Sequence, residues 1–160
     1  MLSEIMETAR TVMRAAGAEI VGGHTSQGDE LTIGFTITGL CEGDPVTLAG
    51  GCAGDVLILT KPIGSGVLMA AEMHGRAKGA WVETALAAMV QPQGDASALL
   101  GDAHAMTDVT GFGLLGHVLN ICEASGTGAR IEAESVPLME GAPELSREGI
   151  GSTLLSSNRM

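Results

Sequence analysis

Apolar residues at Leu2, Ile5, Met6, Ala9, Val12, Met13 and Ala16 recur at steps of three and four, which places them on one face of a helix. Gly17 follows where left-handed backbone would end that helix. After a short apolar run, AEIV, the chain turns polar and glycine-rich. It then alternates strictly: Leu31, Ile33, Phe35 and Ile37 against Thr32, Gly34, Thr36 and Thr38. A period of two predicts a half-buried strand. Beyond a pattern-poor stretch at residues 45–54, DVLIL reads as a buried strand, TKP as a turn, and the run opening on Gly64-Ser65-Gly66 as a helix. Further helices are predicted over AWVETALAAMV, GDASALLGDA, the segment after TDVTG, and MEGAPELSREG, with a strand at ARIEA. Strands alternating with helices predict an α/β (α+β) fold, a two-layer mixed sheet covered by helices.

Composition narrows the possibilities. Hydrophobic residues make up 45% of the 160 and aromatic residues only 2%, so the core must be built from aliphatic side chains around 24 glycines. A formal charge of −11 argues against a nucleic-acid partner, since phosphate backbones need a basic field. An anionic nucleotide remains open to it through backbone amides and a bridging cation. Cys41, Cys52 and Cys122 form no CxxC and meet no paired-histidine spacing, so they are expected to be thiols of a reducing cytosol. No apolar run reaches the length of a membrane span, and a cytoplasmic protein is expected.

Three stretches carry candidate chemistry. In GGHT, Gly22 and Gly23 allow close approach of the backbone to a ligand, and His24 and Thr25 offer polar contacts; an ordinary glycine turn fits the same letters. TKPIGSG could cradle phosphate with Lys61 and the Gly64–Gly66 amides at a helix N-terminus, but it lacks the order of a P-loop, and a structural turn capped by Ser65 is the favoured reading. In AMTDVTGFGLLGH, Asp108 stands where backbone amides converge, an arrangement suited to Mg²⁺ held together with phosphates or, equally, to a helix cap. Phe112, Leu115, Leu119 and Cys122 fall on one helical face and are expected in the core. His117 reads as a hydrogen-bonded structural histidine. Asp102 and His104 beside Asp108 match no metal-ligand spacing.

GGHT ahead of an alternating strand, LTKPIGSGVL, and AMTDVTGFGLLGHVLNI resemble, in order and spacing along nearly the whole chain, the selenophosphate synthetases, or selenide, water dikinases. The resemblance implies synthesis of selenophosphate from selenide, ATP and water, giving AMP and phosphate, by a cytoplasmic homodimer that uses Mg²⁺. It implies that Gly22, Gly23, His24 and Thr25 face ATP and that Asp108 binds the metal. Residues 1–46 would be the end of an N-terminal ATP-binding domain. Residues 47–160 would be most of a C-terminal domain like that of aminoimidazole ribonucleotide synthetase. The family's nucleophilic cysteine or selenocysteine belongs to a more N-terminal context that none of the three cysteines occupies, so no catalytic residue is assigned and the chain is expected to be an inactive fragment. Two alternatives are another ATP-binding synthetase or kinase of the same superfamily, and a non-catalytic nucleotide-binding or dimerisation module.

Overall fold

The computed structural model describes residues 1–41 and 43–159. The chain divides into two compact units, Met1–Gly43 and Asp44–Met160. The first holds α1, Leu2–Ala15, followed by backbone that is neither helix nor strand among the described residues. The second carries α2 (Ser65–Met73), α3 (Gly79–Val90), α4 (Gly94–Leu99), α5 (Gly113–Ser125) and α6 (Ala142–Arg147), with 3₁₀ turns at Ala133–Ser135 and Ser157–Arg159.

α1 ends as its sequence requires. Gly17 adopts φ +75°, its N–H donates to the Arg14 carbonyl at 3.0 Å, and the Ala18 N–H reaches back to Met13 at 2.8 Å. Those two bonds form a Schellman closure, which needs a residue free of a Cβ penalty at the left-handed position. The apolar positions Ile5, Ala9, Val12 and Met13 line a shallow groove shared with Phe35, but no residue of the helix is fully buried.

The core of the second unit is small and helical. α2 packs against both α3 and α6, burying Leu68 and Ala71, Ala85 of α3, and Ala142 and Leu145 of α6, with Met139 beside them. Leu68 and Leu145 are the largest side chains fully enclosed. Truncating either to Ala would cost about 2–5 kcal/mol. Ahead of α6 the chain pairs Leu138 with Ile63, where Ile63 donates to Pro137 at 3.0 Å and accepts from Met139 at 2.8 Å.

That bridge is the only β-pairing among the described residues, which overturns the expected α/β fold with its two-layer mixed sheet. Residues 31–38, 55–59 and 129–132 run without a paired neighbour, and Ile37 and Val56 are 75% and 81% exposed. Alternation and β-branching are properties of one segment, whereas a strand exists only when a second segment takes up its N–H and C=O groups. Here the pairing is not made, so the β-prone segments remain open chain. No helix among the described residues is long and apolar enough to cross a membrane.

Candidate functional site

In the first unit, Gly22, Gly23, His24 and Thr25 are all exposed, in backbone that is neither helix nor strand. Neither glycine takes positive φ, and a Cβ at either would meet nothing within 4 Å. Local folding therefore makes no demand for glycine at these positions. What the pair provides is bare, accessible main chain directly before two polar side chains.

In the second unit, the TDVTGFGLLGH stretch is a tied loop. The Thr110 N–H donates to His117 Nε2 at 3.0 Å, so that nitrogen carries no proton. The Gly113 N–H donates to Thr110 at 2.9 Å, and Gly113 takes φ +73° as the chain enters α5. Asn158 Nδ2 donates to the Gly111 carbonyl at 2.6 Å, and a Cβ at Gly111 would press on the Leu154 side chain. The Phe112 ring lies 5.8 Å from the imidazole. Asp108 precedes this loop with its side chain exposed. It does not cap α5, because the N-cap is Phe112 and no side chain bonds there. A carboxylate held in the open ahead of a fixed loop fits Mg²⁺, which needs only one or two protein carboxylates beside phosphate oxygens and water.

Two expectations for this helix divide. His117 is the structural histidine that the sequence predicts, 6% exposed and bonded to its own loop. The apolar row is not core: Phe112, Leu115 and Leu119 are exposed and Cys122 is half-buried, because α5 turns its His117 side inward.

TKPIGSG is a structural turn, with a different cap from the one expected. Gly64, at φ +129°, is the N-cap of α2 and no side chain caps it; Ser65 is the first helical residue. Lys61 turns toward α3, donating to the carbonyls of Ala88 at 2.7 Å and Gln91 at 2.6 Å. A cation on the orphan carbonyls of a helix C-terminus satisfies both groups and the helix dipole.

A further cluster was not visible in the sequence. Cys52, Asp55 and His104 bring their donor atoms within 4.8 Å of one another, all exposed. The Cys52 N–H, and then His104, hold the Asp55 carboxyl below its ordinary range. The only local signal was the Cys-x-x-Asp turn, since His104 lies 49 residues away from Asp55. Asp108 stands outside this cluster.

Comparison with known proteins agrees with the motifs. The family described as "AIR synthase related protein, C-terminal domain" matches residues 53–153. The chain is 37% identical over 149 residues to the selenide, water dikinase of Aeromonas hydrophila, covering 91% of this chain and 43% of that protein. It is 39% identical over 152 residues to the selenide, water dikinase of Pelobacter propionicus, covering 93% and 44%. The likeness to selenide, water dikinases read from GGHT and TDVTGFGLLGH thus runs along nearly the whole chain, which spans less than half the length of these curated relatives. The chain belongs to the AIR synthase-related family through its C-terminal domain.

Proposed function

We propose that this chain is the nucleotide- and metal-binding part of an ATP-dependent enzyme that makes selenophosphate from selenide. The observation that carries the reading is the 37–39% identity to selenide, water dikinases over more than nine-tenths of the chain. In this reading residues 1–46 and 47–160 belong to two successive domains of a cytoplasmic homodimer. Gly22 and Gly23 lend exposed backbone to the nucleotide, and His24 and Thr25 supply polar contacts to it. Asp108, directly ahead of the loop that His117 pins, would hold Mg²⁺ together with the phosphates. The cation supplies neutralisation of polyphosphate charge, the main requirement of phosphoryl transfer.

The test grafts residues 1–160 in place of the corresponding stretch of the Pelobacter propionicus relative and follows ATP, selenide and Mg²⁺ by anaerobic phosphorus NMR. The hybrid is expected to form selenophosphate with AMP. Asp108→Asn in the hybrid should lower turnover at least 100-fold, equivalent to about 2.7 kcal/mol of lost transition-state stabilisation. His24→Ala should weaken ATP binding while shifting stability by less than about 1 kcal/mol. Near-normal turnover of the Asp108→Asn hybrid would remove the metal role. A folded hybrid that makes no selenophosphate would remove the functional reading.

A further inference from the structure

The loop at residues 47–55 is bound more tightly than a surface connection needs. The Gly51 N–H donates to Ser125 Oγ at 3.0 Å, and the same hydroxyl donates to the Leu48 carbonyl at 3.2 Å. The Met106 N–H donates to Thr47 at 2.8 Å. Gly50, at φ +121°, lets the His104 carbonyl sit where a Cβ would stand. Within the loop, Cys52 and Asp55 close a turn on each other: the Asp55 N–H donates to the Cys52 carbonyl at 3.1 Å, and the Cys52 N–H donates to Asp55 Oδ2 at 2.7 Å. Gly54 takes φ +102° inside that turn. His104 Nδ1 then meets the Asp55 carboxylate at 2.9 and 3.0 Å, and Cys52 Sγ lies 3.4 Å from the Gly50 carbonyl. Two segments far apart in sequence are thus fixed so that a thiol, a carboxylate and an imidazole converge.

We propose that Cys52, Asp55 and His104 form a binding site for a divalent d-block cation, with Zn²⁺ the best-fitting occupant and a fourth position open to water or an exogenous ligand. The donor set is one sulfur, one nitrogen and one oxygen. Thiolate and imidazole select zinc-like ions over Mg²⁺ and Ca²⁺, which take oxygen. Three protein donors with an exposed remaining position match the arrangement of open zinc sites, not closed structural ones. Tetrahedral zinc holds its donors about 3.5 Å apart; the three donors here lie within 4.8 Å of one another, and the His104–Asp55 pair, now at 2.9 Å, would part slightly to admit the ion. Binding releases the Cys52 thiol proton to solvent. His104 Nδ1 meets the ion in place of its hydrogen bond to the Asp55 carboxylate, its proton passing through solvent to Nε2, and thiolate plus carboxylate balance the two charges of the ion. This site shares no residue with the nucleotide and Mg²⁺ assignments, so its test is independent of them.

The experiment uses the full chain, stripped of metal under reducing conditions and titrated with Co²⁺, then with Zn²⁺ against a chromophoric chelator. One equivalent of Co²⁺ should produce a thiolate-to-cobalt charge-transfer band and intense tetrahedral d–d bands, both erased by one equivalent of Zn²⁺. Cys52→Ser should abolish the charge-transfer band. Loss of an outer-sphere partner already weakens metal binding about 10–100-fold, so removing a ligand, by Cys52→Ser or His104→Ala, should weaken Zn²⁺ by at least about 100-fold. Cys41→Ser and Cys122→Ser should change neither. Asp55 also accepts the Cys52 N–H, so the decision rests on Cys52→Ser and His104→Ala, with circular dichroism confirming their fold. A charge-transfer band that survives Cys52→Ser, or one that disappears with Cys41→Ser or Cys122→Ser, would overturn the proposal. So would Zn²⁺ binding unchanged by His104→Ala, or no Zn²⁺ taken from the chelator.

Discussion

His117 carries more of the candidate site than its position suggests. Its Nε2 takes the Thr110 N–H, its ring lies against Phe112, and it is the one buried polar side chain among the described residues. His117→Ala should destabilise the second unit by about 1–3 kcal/mol, because an amide loses its acceptor while the imidazole leaves a void. Urea unfolding of the two proteins side by side measures this, and a change under about 0.5 kcal/mol would show the bond to be idle. The role of this histidine was legible because it sits seven residues from Thr110, within reach of local geometry. The neighbouring apolar row misled for the complementary reason. Helical periodicity shows that Phe112, Leu115 and Leu119 share a face, but which face turns inward is set by what packs against it. Cys52, Asp55 and His104 were illegible altogether, since His104 reads in sequence as a neighbour of Asp108, whereas the chain carries it to Asp55.

At the scale of elements, helices were recovered and strands were not. A helix closes its hydrogen bonds within itself, so spacing and a C-terminal glycine suffice to locate α1, and α3 begins within one residue of the expected start. α4 stops at Leu99, short of the predicted residue 103, and the segments expected as strands stay open because their partners are not written locally. The tightest joint between elements is at Gly141, the N-cap of α6, at φ +83° with the Trp81 ring packed where a Cβ would be. Trp81 is also held by its Nε1–H to Glu140 at 3.3 Å and by Lys78, 4.2 Å from the ring centroid. Gly141→Ala should therefore cost about 2–4 kcal/mol, combining left-handed strain with displacement of a packed aromatic ring. Gly149 has φ +85° but open space around it, so Gly149→Ala should cost only about 1 kcal/mol. The chain has a single tryptophan, so emission from Trp81 should shift red in the first variant and stay put in the second. Equal losses in both would show that the ring contact carries no weight.

Among the described residues, buried apolar side chains are few and lie around α2, α3 and α6, while many of the large aliphatic side chains are exposed. The exposed Arg76–Glu148 pair, at 2.8 Å, joins the regions after α2 and α6 but adds little to so small a core. The family was readable because its motifs are contiguous; the extent of burial was not, because it depends on contacts among distant segments. The unpaired extended segments also set a clock. Among the described residues no backbone amide of residues 31–38 or 56–60 donates to a backbone carbonyl, whereas the α2 amides donate into a helix buried at Leu68 and Ala71. Amide hydrogens exchange with solvent at rates set by the free energy of the opening that frees them, from near zero up to the global value. In heavy water a peptide spanning residues 56–60 should take up its full deuterium within the first time point. One spanning residues 68–73 should remain protonated until the second unit opens as a whole. Slow uptake across residues 56–60 would mean that those amides have found acceptors, and the open-chain description of that segment would then fail.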